Sequence, residues 1–158
     1  MTEPATLAPA GAPDTTCADL TSTYQFKSPV DKVFAALTDP ARISSWWTKA
    51  SGSGAQGGEV TFLFGDEKLV VHVDKADRSI VQWSPLVCTP EPEWVGTTIT
   101  FTVSQIQNGG SQIDFRHTGL AQLECFDSCR KGWGHFLPSL VDYVDAGQGS
   151  PYPRPREQ

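Results

Sequence analysis

The stretch from Cys129 to Leu140, CRKGWGHFLPSL, has the apolar spacing of a helix but carries two glycines and a proline. An interior Gly costs about 1 kcal/mol relative to Ala, and an interior Pro about 3 kcal/mol. The three- and four-residue spacing nevertheless continues on both sides of the stretch and predicts one long C-terminal helix that ends at Gly147. The apolar stripe of this helix consists of Phe126, Cys129, Trp133, Phe136, Leu137, Leu140 and Val144.

The poor helix formers require a reason. Gly132 and Gly134 remove the side chains on either side of Trp133, which allows a close approach to neighbouring backbone or leaves room beside the indole. Pro138 lacks an N–H and would clash with the carbonyl four residues back. We therefore predict a helix bent around a cavity; the alternative is a kinked core helix with no cavity, because pockets and cores use the same residue types. The predicted inward face consists of Trp133, Phe136, Leu137 and Leu140.

Upstream of this helix, apolar and polar residues alternate in several short runs, which is typical of half-buried strands. The apolar members of these runs are Leu20, Tyr24 and Phe26; Val60, Phe62 and Phe64; Leu69, Val71 and Val73; Val81 and Trp83; Ile99, Phe101 and Val103; and Ile113, Phe115 and His117. Asn108-Gly109-Gly110 is a strong hairpin signal. The segment at 85–94, PLVCTPEPEW, contains three prolines and is predicted to be a loop or a sheet edge.

Two short helices are predicted after the first strand. Ser28 is expected to cap the first helix, with Pro29 at its first position. Asp39-Pro40 is expected to begin the second, which ends in Trp46 and Trp47. The segment that follows at 51–58, SGSGAQGG, is predicted to be a flexible loop.

This element order predicts an α+β fold. A curved antiparallel sheet of about six or seven strands would wrap around the long C-terminal helix, with the two short helices after the first strand. Residues 1–17 are rich in Pro, Ala and Thr and are predicted to be a disordered tail. Residues 18–148 would form one domain, and residues 149–158 a flexible tail.

Composition argues against several classes of partner. Twelve basic and eighteen acidic residues give the 158-residue chain a net charge of −6, and the basic residues are scattered. We therefore expect no nucleic-acid partner. We also expect no membrane insertion, because no run of the sequence reaches the roughly 20 apolar residues of a membrane span. The N-terminus has neither the basic start nor the apolar block of a secretory signal, which predicts a cytoplasmic protein.

The cysteines are expected to be reduced thiols, because they form no dense framework. Cys125 and Cys129 are four residues apart, but a structural zinc ion needs about four ligands and no second pair is suitably spaced. We therefore expect no metal and no cofactor. A Gly-x-Ser-x-Gly elbow and a phosphate-binding loop are also absent from the sequence.

Strand parity and the helix stripe together predict a ligand-binding set rich in aromatic rings. Trp46 and Trp47 would guard its mouth beside the glycine-rich loop. Such rings suit a flat, hydrophobic ligand. For Phe34, Phe126 and Phe136 a role in the core is favoured over contact with a ligand. The predicted set is Trp46, Trp47, Phe62, Phe64, Trp83, Phe101, Phe115, His117, Trp133 and Leu137.

His117 is the polar candidate of this set and the candidate catalytic residue. A neutral imidazole there could bond a ligand carbonyl or phenol, or act as a general base. The alternative is a histidine satisfied by a backbone carbonyl at the strand end. Asp114 and Arg116 should point to the opposite face of the sheet. The face that His72 occupies stays open, and His135 lies off the helix stripe and is expected to be exposed.

Several segments of the chain carry a family resemblance. They are SPVDKVFAALTDPARISSWWT at 28–48, DFRHTGL at 114–120 and GWGHFLPSLVDYVDAGQGSP at 132–151. Over about residues 20–151 the chain resembles the START-like, helix-grip (SRPBCC) superfamily. The nearest branch is the one named after the activator of heat-shock protein 90 ATPase, close to the polyketide cyclase/dehydrase-like proteins. The resemblance implies a deep apolar cavity between the curved sheet and the C-terminal helix, used to hold lipophilic molecules.

Three functional hypotheses follow. The first is a protein, monomeric or homodimeric, that binds a hydrophobic, aromatic or polyketide-like small molecule in an internal cavity. The second is an enzyme of the cyclase, dehydratase or hydrolase type that uses His117, or a self-resistance protein that sequesters such a molecule. The third, implied only by the branch name, is a module that interacts with a chaperone ATPase.

Overall fold

The computed structural model describes residues 20–89, 92–119 and 126–152. The predicted α+β order is confirmed, with seven strands in one sheet and three α-helices in these ranges. The elements are β1 (Leu20–Phe26), α1 (Val30–Thr38), α2 (Pro40–Trp46), β2 (Ala50–Gly52), β3 (Glu59–Phe64), β4 (Glu67–Asp77), β5 (Ile80–Cys88), β6 (Thr98–Gln105), β7 (Ser111–Thr118) and α3 (Phe126–Ala146), with 3-10 turns at Pro92–Trp94 and Gln107–Gly109.

All neighbouring strands are antiparallel, in the order β1-β7-β6-β5-β4-β3-β2. Phe101 lies opposite Phe115 on β7 and opposite Val81 on β5, so the buried rows of adjacent strands fall on the same face. This inner face packs against the three helices and forms the core, and the helix-grip architecture is confirmed. The opposite, outer face carries the polar members of the same strands.

Two features of the sheet differ from the prediction. The short strand β2 overlaps the start of the predicted flexible loop at 51–58, and it pairs with β3. Strand β5 continues through Pro85 to Cys88, although Pro disfavours strands. The proline is tolerated because the β5–β6 ladder ends at Trp83, and Pro85 lies opposite Val71 at a register shift in the β4–β5 ladder. Residues 85–88 therefore lie at a sheet edge, which is one of the two alternatives that the prolines indicated.

The predicted cap of α1 is wrong, whereas the predicted start of α2 at Asp39-Pro40 is confirmed. Helix α1 begins after Pro29 without any side-chain cap, because the Ser28 hydroxyl donates instead to Asp145 of α3, at 2.8 Å. The Asp145 carboxylate also accepts the backbone N–H groups of Lys27 and Ser28. Asp39 caps α2 by accepting the Ala41 N–H at 3.0 Å.

Helix α3 ends as predicted at Gly147, whose φ of +83° is the left-handed conformation of a C-terminal glycine. Its two interior glycines make no close backbone approach. A Cβ atom on Gly132 or Gly134 would meet nothing within 4 Å, so that interpretation is wrong. Pro138 lies inside the helix as predicted.

The segment 149–152 is hydrogen-bonded to α2 and α3, although the predicted flexible tail starts at Gly149. The Ser139 hydroxyl donates to the Trp46 carbonyl at 2.8 Å and accepts the Ser150 N–H at 2.6 Å. The Tyr152 N–H donates to the Trp47 carbonyl. A side chain at Gly149 would come within 2.7 Å of the Ser45 carbonyl oxygen.

Two observations concern the cysteines and the membrane. Cys88 is buried, whereas Cys17, Cys125 and the Cys129 side chain lie outside the described part. No α-helix within the described ranges is long and apolar enough to cross a membrane.

Candidate functional site

The predicted ligand-binding residues come together between the inner face of the sheet and α3. All of them are buried except Phe64, which is partly buried. They arrive from α2, β3, β5, β6, β7 and α3, because period-two strands and a period-3.6 helix direct their apolar faces to the same layer. The side chains pack against one another as part of one core cluster.

Trp47 is the centre of this aromatic cluster. Its ring centroid lies 4.5 Å from that of Phe62 on β3, 5.1 Å from that of Trp133 on α3 and 6.0 Å from that of Trp83 on β5. Trp46 stacks on it, and its indole N–H donates to the Ala36 carbonyl at 2.8 Å. Both tryptophans are interior side chains, not surface guards of a mouth.

The contacts continue along β6 and β7. The Phe101 ring lies 5.1 Å from Trp83 and 5.3 Å from Phe115, and Phe115 lies 4.6 Å from Trp133. These separations fall in the range of favourable tilted and edge-to-face ring pairs. An unbroken set of ring contacts therefore connects the sheet with α3.

His117 ends the inner row of β7 and is fully buried. The Trp133 indole N–H donates to His117 Nδ1 at 3.1 Å. The other ring nitrogen, Nε2, therefore carries the proton and donates to the Thr97 hydroxyl at 2.9 Å. That hydroxyl in turn donates to the Trp94 carbonyl at 2.6 Å. The network therefore reaches a backbone carbonyl through Thr97, and not directly.

Burial lowers the pKa of His117 from 6.5 to about 3. The imidazole is therefore neutral at pH 7, and both of its nitrogens are engaged within the protein. A ligand proton could reach Nδ1 only if the Trp133 N–H were displaced. The geometry suits a role in holding the Trp133 indole in place better than a role as a general base.

Trp94 and Thr97 belong to this site but are missing from the predicted set. The Trp94 ring stacks on Trp133 with centroids 5.9 Å apart, and its edge contact with His117 has a centroid distance of 4.6 Å. Trp94 is the last residue of the proline-rich segment, where no periodicity indicates which way a side chain points. A large aromatic residue in a predicted loop is the one signal that could have suggested it.

One polar atom of the cluster has no partner. The indole nitrogen of Trp83 is buried and makes no hydrogen bond. Its ring lies among Trp47, Phe62 and Phe101, none of which offers a strong acceptor.

The other two histidines lie away from this cluster. Leu69, Val71 and Val73 are buried, which places His72 on the outer face, where its side chain is 42% exposed. His72 Nδ1 lies 2.7 Å from Asp74 Oδ1, and the Ser84 hydroxyl donates to the other oxygen of that carboxylate. His135 lies off the buried stripe, with Nε2 3.0 Å from the Ser150 carbonyl oxygen. Within the described ranges no group of three or more His, Cys, Asp or Glu residues is placed to hold a metal ion.

The outer face also carries a polar groove of about 730 Å³. Threonines of β1, β6 and β7 line it, together with Gln82, Asp114 and Arg116. This agrees with the predicted outward orientation of Asp114 and Arg116.

A family model described as Activator of Hsp90 ATPase homolog 1-like protein matches residues 27–145. The chain belongs to this family. The matched range covers α1, α2 and the described elements of the aromatic cluster. Several solved structures resemble this Aha1-like chain over most of its length.

The solution structure of the Aha1 dimer from Colwellia psychrerythraea is 26% identical, with a TM-score of 0.74 over 84% of this chain and 99% of that one. DynU16, a putative protein in the dynemicin biosynthetic locus, is 23% identical, with a TM-score of 0.68 over 85% of this chain and 49% of its own. CalU16 from Micromonospora echinospora is 19% identical, with a TM-score of 0.66 over 81% and 74%. A comparison with curated proteins finds no match.

Proposed function

We propose that this Aha1-like domain binds a hydrophobic small molecule, aromatic or polyketide-like, between the inner face of its sheet and α3. The observation that carries the proposal is the unbroken set of ring contacts from Phe62 and Trp83 through Trp47 to Trp133. A set of rings joined edge to face and in stacks matches the surface of a flat apolar molecule. The ligand would take the place of some of these mutual contacts.

A ligand binds favourably here when its own contacts with the aromatic rings compensate for the ring–ring contacts that it displaces. Each favourable aromatic pair contributes about 0.5–1.5 kcal/mol beyond the burial of its area. Apolar burial contributes roughly 25 cal/mol per Å², reduced by the cost of ordering the ligand. A rigid planar molecule keeps that ordering cost small. Affinity should therefore rise with planar apolar area.

The structural neighbours give this proposal a biological setting. DynU16 is described as a putative protein of the dynemicin biosynthetic locus. A flat, apolar product of a biosynthetic locus would meet the chemical requirements of the aromatic cluster. Sequestration of a reactive product would make the protein a self-resistance factor.

Titration with Nile red, a planar dye that fluoresces in apolar surroundings, tests the proposal. Leu137 is fully buried on α3, and Leu137→Phe adds a ring beneath the helix. We expect the wild type to bind the dye and L137F to bind it at least tenfold more weakly. The control is Leu63→Phe, the same change on the outer face, where Leu63 is 36% exposed; its affinity should match that of the wild type.

Three results would count against the proposal: no uptake by the wild type, equal affinities in all three proteins, or a loss confined to L63F. Because overpacking destabilises cores by about 1–3 kcal/mol, circular dichroism must show that L137F is folded. If L137F is not folded, Leu137→Ala is tested in its place. Removal of the buried Leu137 side chain should change the affinity for the dye, whereas Leu63→Ala should leave that affinity unaltered.

Catalysis by His117 has less support than binding. Its two ring nitrogens are bonded to Trp133 and Thr97, and it is neutral and shielded from solvent. If a cyclase, dehydratase or hydrolase activity is found, an unchanged rate in His117→Ala would exclude this residue from the chemistry.

A second candidate function, interaction with a chaperone ATPase, is motivated by exposed apolar side chains on the outer face. Leu63 on β3 and Val87 on β5 are 36% and 40% exposed; Val87 pairs with Val70 on the intervening β4, and Leu63 pairs with Lys68. These side chains are apolar exceptions on a largely polar face, and the solved neighbour from Colwellia psychrerythraea carries the name Aha1. A pull-down with purified Hsp90 should retain the wild type and lose Leu63→Lys/Val87→Lys. Failure to retain the wild type would remove this candidate.

A further inference from the structure

The indole N–H of Trp83 is a buried donor without an acceptor. Among the side chains that the structure describes, no other buried nitrogen or oxygen lacks a partner. Trp83 is fully buried, so bulk water does not solvate the group. A donor left in this state lowers stability, and unpartnered buried groups are rare in proteins.

The indole N–H of Trp83 differs from those of Trp46 and Trp133, which both have acceptors. The Trp46 indole N–H donates to a backbone carbonyl, and the Trp133 indole N–H donates to His117. Both bonds connect elements of the fold. Replacement of Trp83 by an apolar ring would remove an unmet donor, so hydrogen bonding within the fold does not account for the indole nitrogen at this position.

Trp83 is surrounded by aromatic rings on the inner face of the sheet. It projects from the inner face of β5, where it lies opposite Val73 on one side and Ile99 on the other. Its ring is parallel to that of Trp47 within 10°, with centroids 6.0 Å apart, and contacts Phe62 and Phe101 at 5.5 and 5.1 Å. Aromatic faces are weak acceptors, whereas a carbonyl oxygen is a strong one.

We propose that the indole N–H of Trp83 is the polar recognition group of the site and donates to a carbonyl oxygen of a planar apolar ligand, a ketone or quinone. This inference rests on the proposed function and adds the chemical class of the ligand to it. The aromatic rings around Trp83 bind any flat apolar molecule. The single donor then distinguishes ligands that carry an acceptor from hydrocarbons of the same shape, because a hydrocarbon leaves the donor unmet.

The test uses two probes of nearly identical shape, 9-fluorenone and fluorene, which differ in a carbonyl group. Both are titrated into ¹⁵N-labelled wild type and Trp83→Phe, and the indole signals of the tryptophans are followed by NMR. The signal that is missing from W83F identifies Trp83. The wild type should bind fluorenone about tenfold more tightly than fluorene, and W83F should bind the two probes equally. Fluorenone, but not fluorene, should shift the Trp83 N–H signal downfield.

Stability supplies an independent readout. Trp46→Phe makes the same chemical change at an indole whose N–H is bonded, so it serves as the matched control for unfolding. Both changes remove ring atoms from the core and should lower the urea midpoint, but W83F should lower it less than W46F because it breaks no hydrogen bond. A clear loss of stability in W83F, equal to that in W46F, would show that Trp83 already has a partner in the free protein and would overturn the inference.

The outcomes separate the two proposals. If both probes bind the wild type with equal affinity and W83F changes neither, the binding proposal stands and the role of Trp83 is refuted; a trapped water on the indole would give this result. If neither probe binds the wild type, the proposed function fails and this inference fails with it.

Discussion

Replacement of His117 by Gln should remove much of the acid sensitivity of the fold. The His117 side chain is fully buried, and it accepts from Trp133 and donates to Thr97. A Gln side chain offers one acceptor and one donor for the same two groups, but it does not titrate. The substitution therefore isolates protonation from the hydrogen bonds.

The direction and the magnitude of the change in stability with pH follow from the lowered pKa of His117, which is about 3 in the folded protein and 6.5 in the unfolded chain. Below pH 6.5 the unfolded chain binds a proton that the native protein does not take up until pH 3. Stability is therefore complete above pH 6.5 and falls as the pH decreases towards 3. At about 1.36 kcal/mol per pH unit, the loss between pH 7.5 and 5.0 is about 2 kcal/mol.

Urea unfolding followed by tryptophan fluorescence at pH 7.5 and pH 5.0 measures this loss. The wild type should lose about 2 kcal/mol more than His117→Gln over this interval. The two proteins differ at residue 117 alone, so the contributions of all other residues cancel in the comparison. Equal losses in the two proteins would refute the assignment of His117 as a buried neutral imidazole. A charged His117 in the native state at pH 5.0, seen in long-range ¹H–¹⁵N spectra, would refute it as well.

Three further substitutions test the packing of α3. Gly134→Ala should raise the free energy of unfolding by about 0.5–1 kcal/mol, because a Cβ there meets nothing within 4 Å; a decrease in urea unfolding would show that the helix needs this glycine. Gly149→Ala should lower it by about 1–3 kcal/mol, because its Cβ would lie 2.7 Å from the Ser45 carbonyl oxygen; an unchanged midpoint would mean that the segment 149–152 is not held as described. Asp145→Ala should lower the free energy of unfolding by about 2–3 kcal/mol, because two backbone N–H groups and the Ser28 hydroxyl lose their acceptor. An unchanged thermal unfolding midpoint would show that these hydrogen bonds do not stabilise the fold.

The order of the elements and the buried face of each strand were predictable because both depend on periodicity. Alternation placed Phe101, Phe115 and His117 on one face, and the spacing of α3 placed Trp133 and Leu137 opposite them, which the burial of these side chains confirms. Such patterns depend on chain geometry and not on the tertiary environment. Whether these residues contact a ligand remains a prediction.

The elements that were missed depend on tertiary partners. Strand β2 has three residues and no apolar pattern, and it exists because its backbone pairs with β3. Ser28 has the sequence signature of a helix cap, but Asp145, 117 residues later, offers it a stronger partner in α3. Neither relation is visible in a local window of sequence.

The hydrogen bonds of the site could not be predicted from the sequence. The partners of His117 are Thr97 and Trp133, and Thr97 continues the network to Trp94 in a segment without periodicity. The unmet donor of Trp83 can be recognised only when every neighbouring acceptor has been located. A pattern predicts which face is buried, whereas hydrogen bonds depend on positions to within a few tenths of an ångström.

Intermolecular nuclear Overhauser effects between unlabelled 9-fluorenone and ¹³C,¹⁵N-labelled protein test the central claim most directly. The account predicts contacts from the probe to the side chains of Trp83, Trp133 and Leu137, which lie between the sheet and α3. Contacts confined to the threonines of the outer groove, or no contacts at saturating probe, would contradict it.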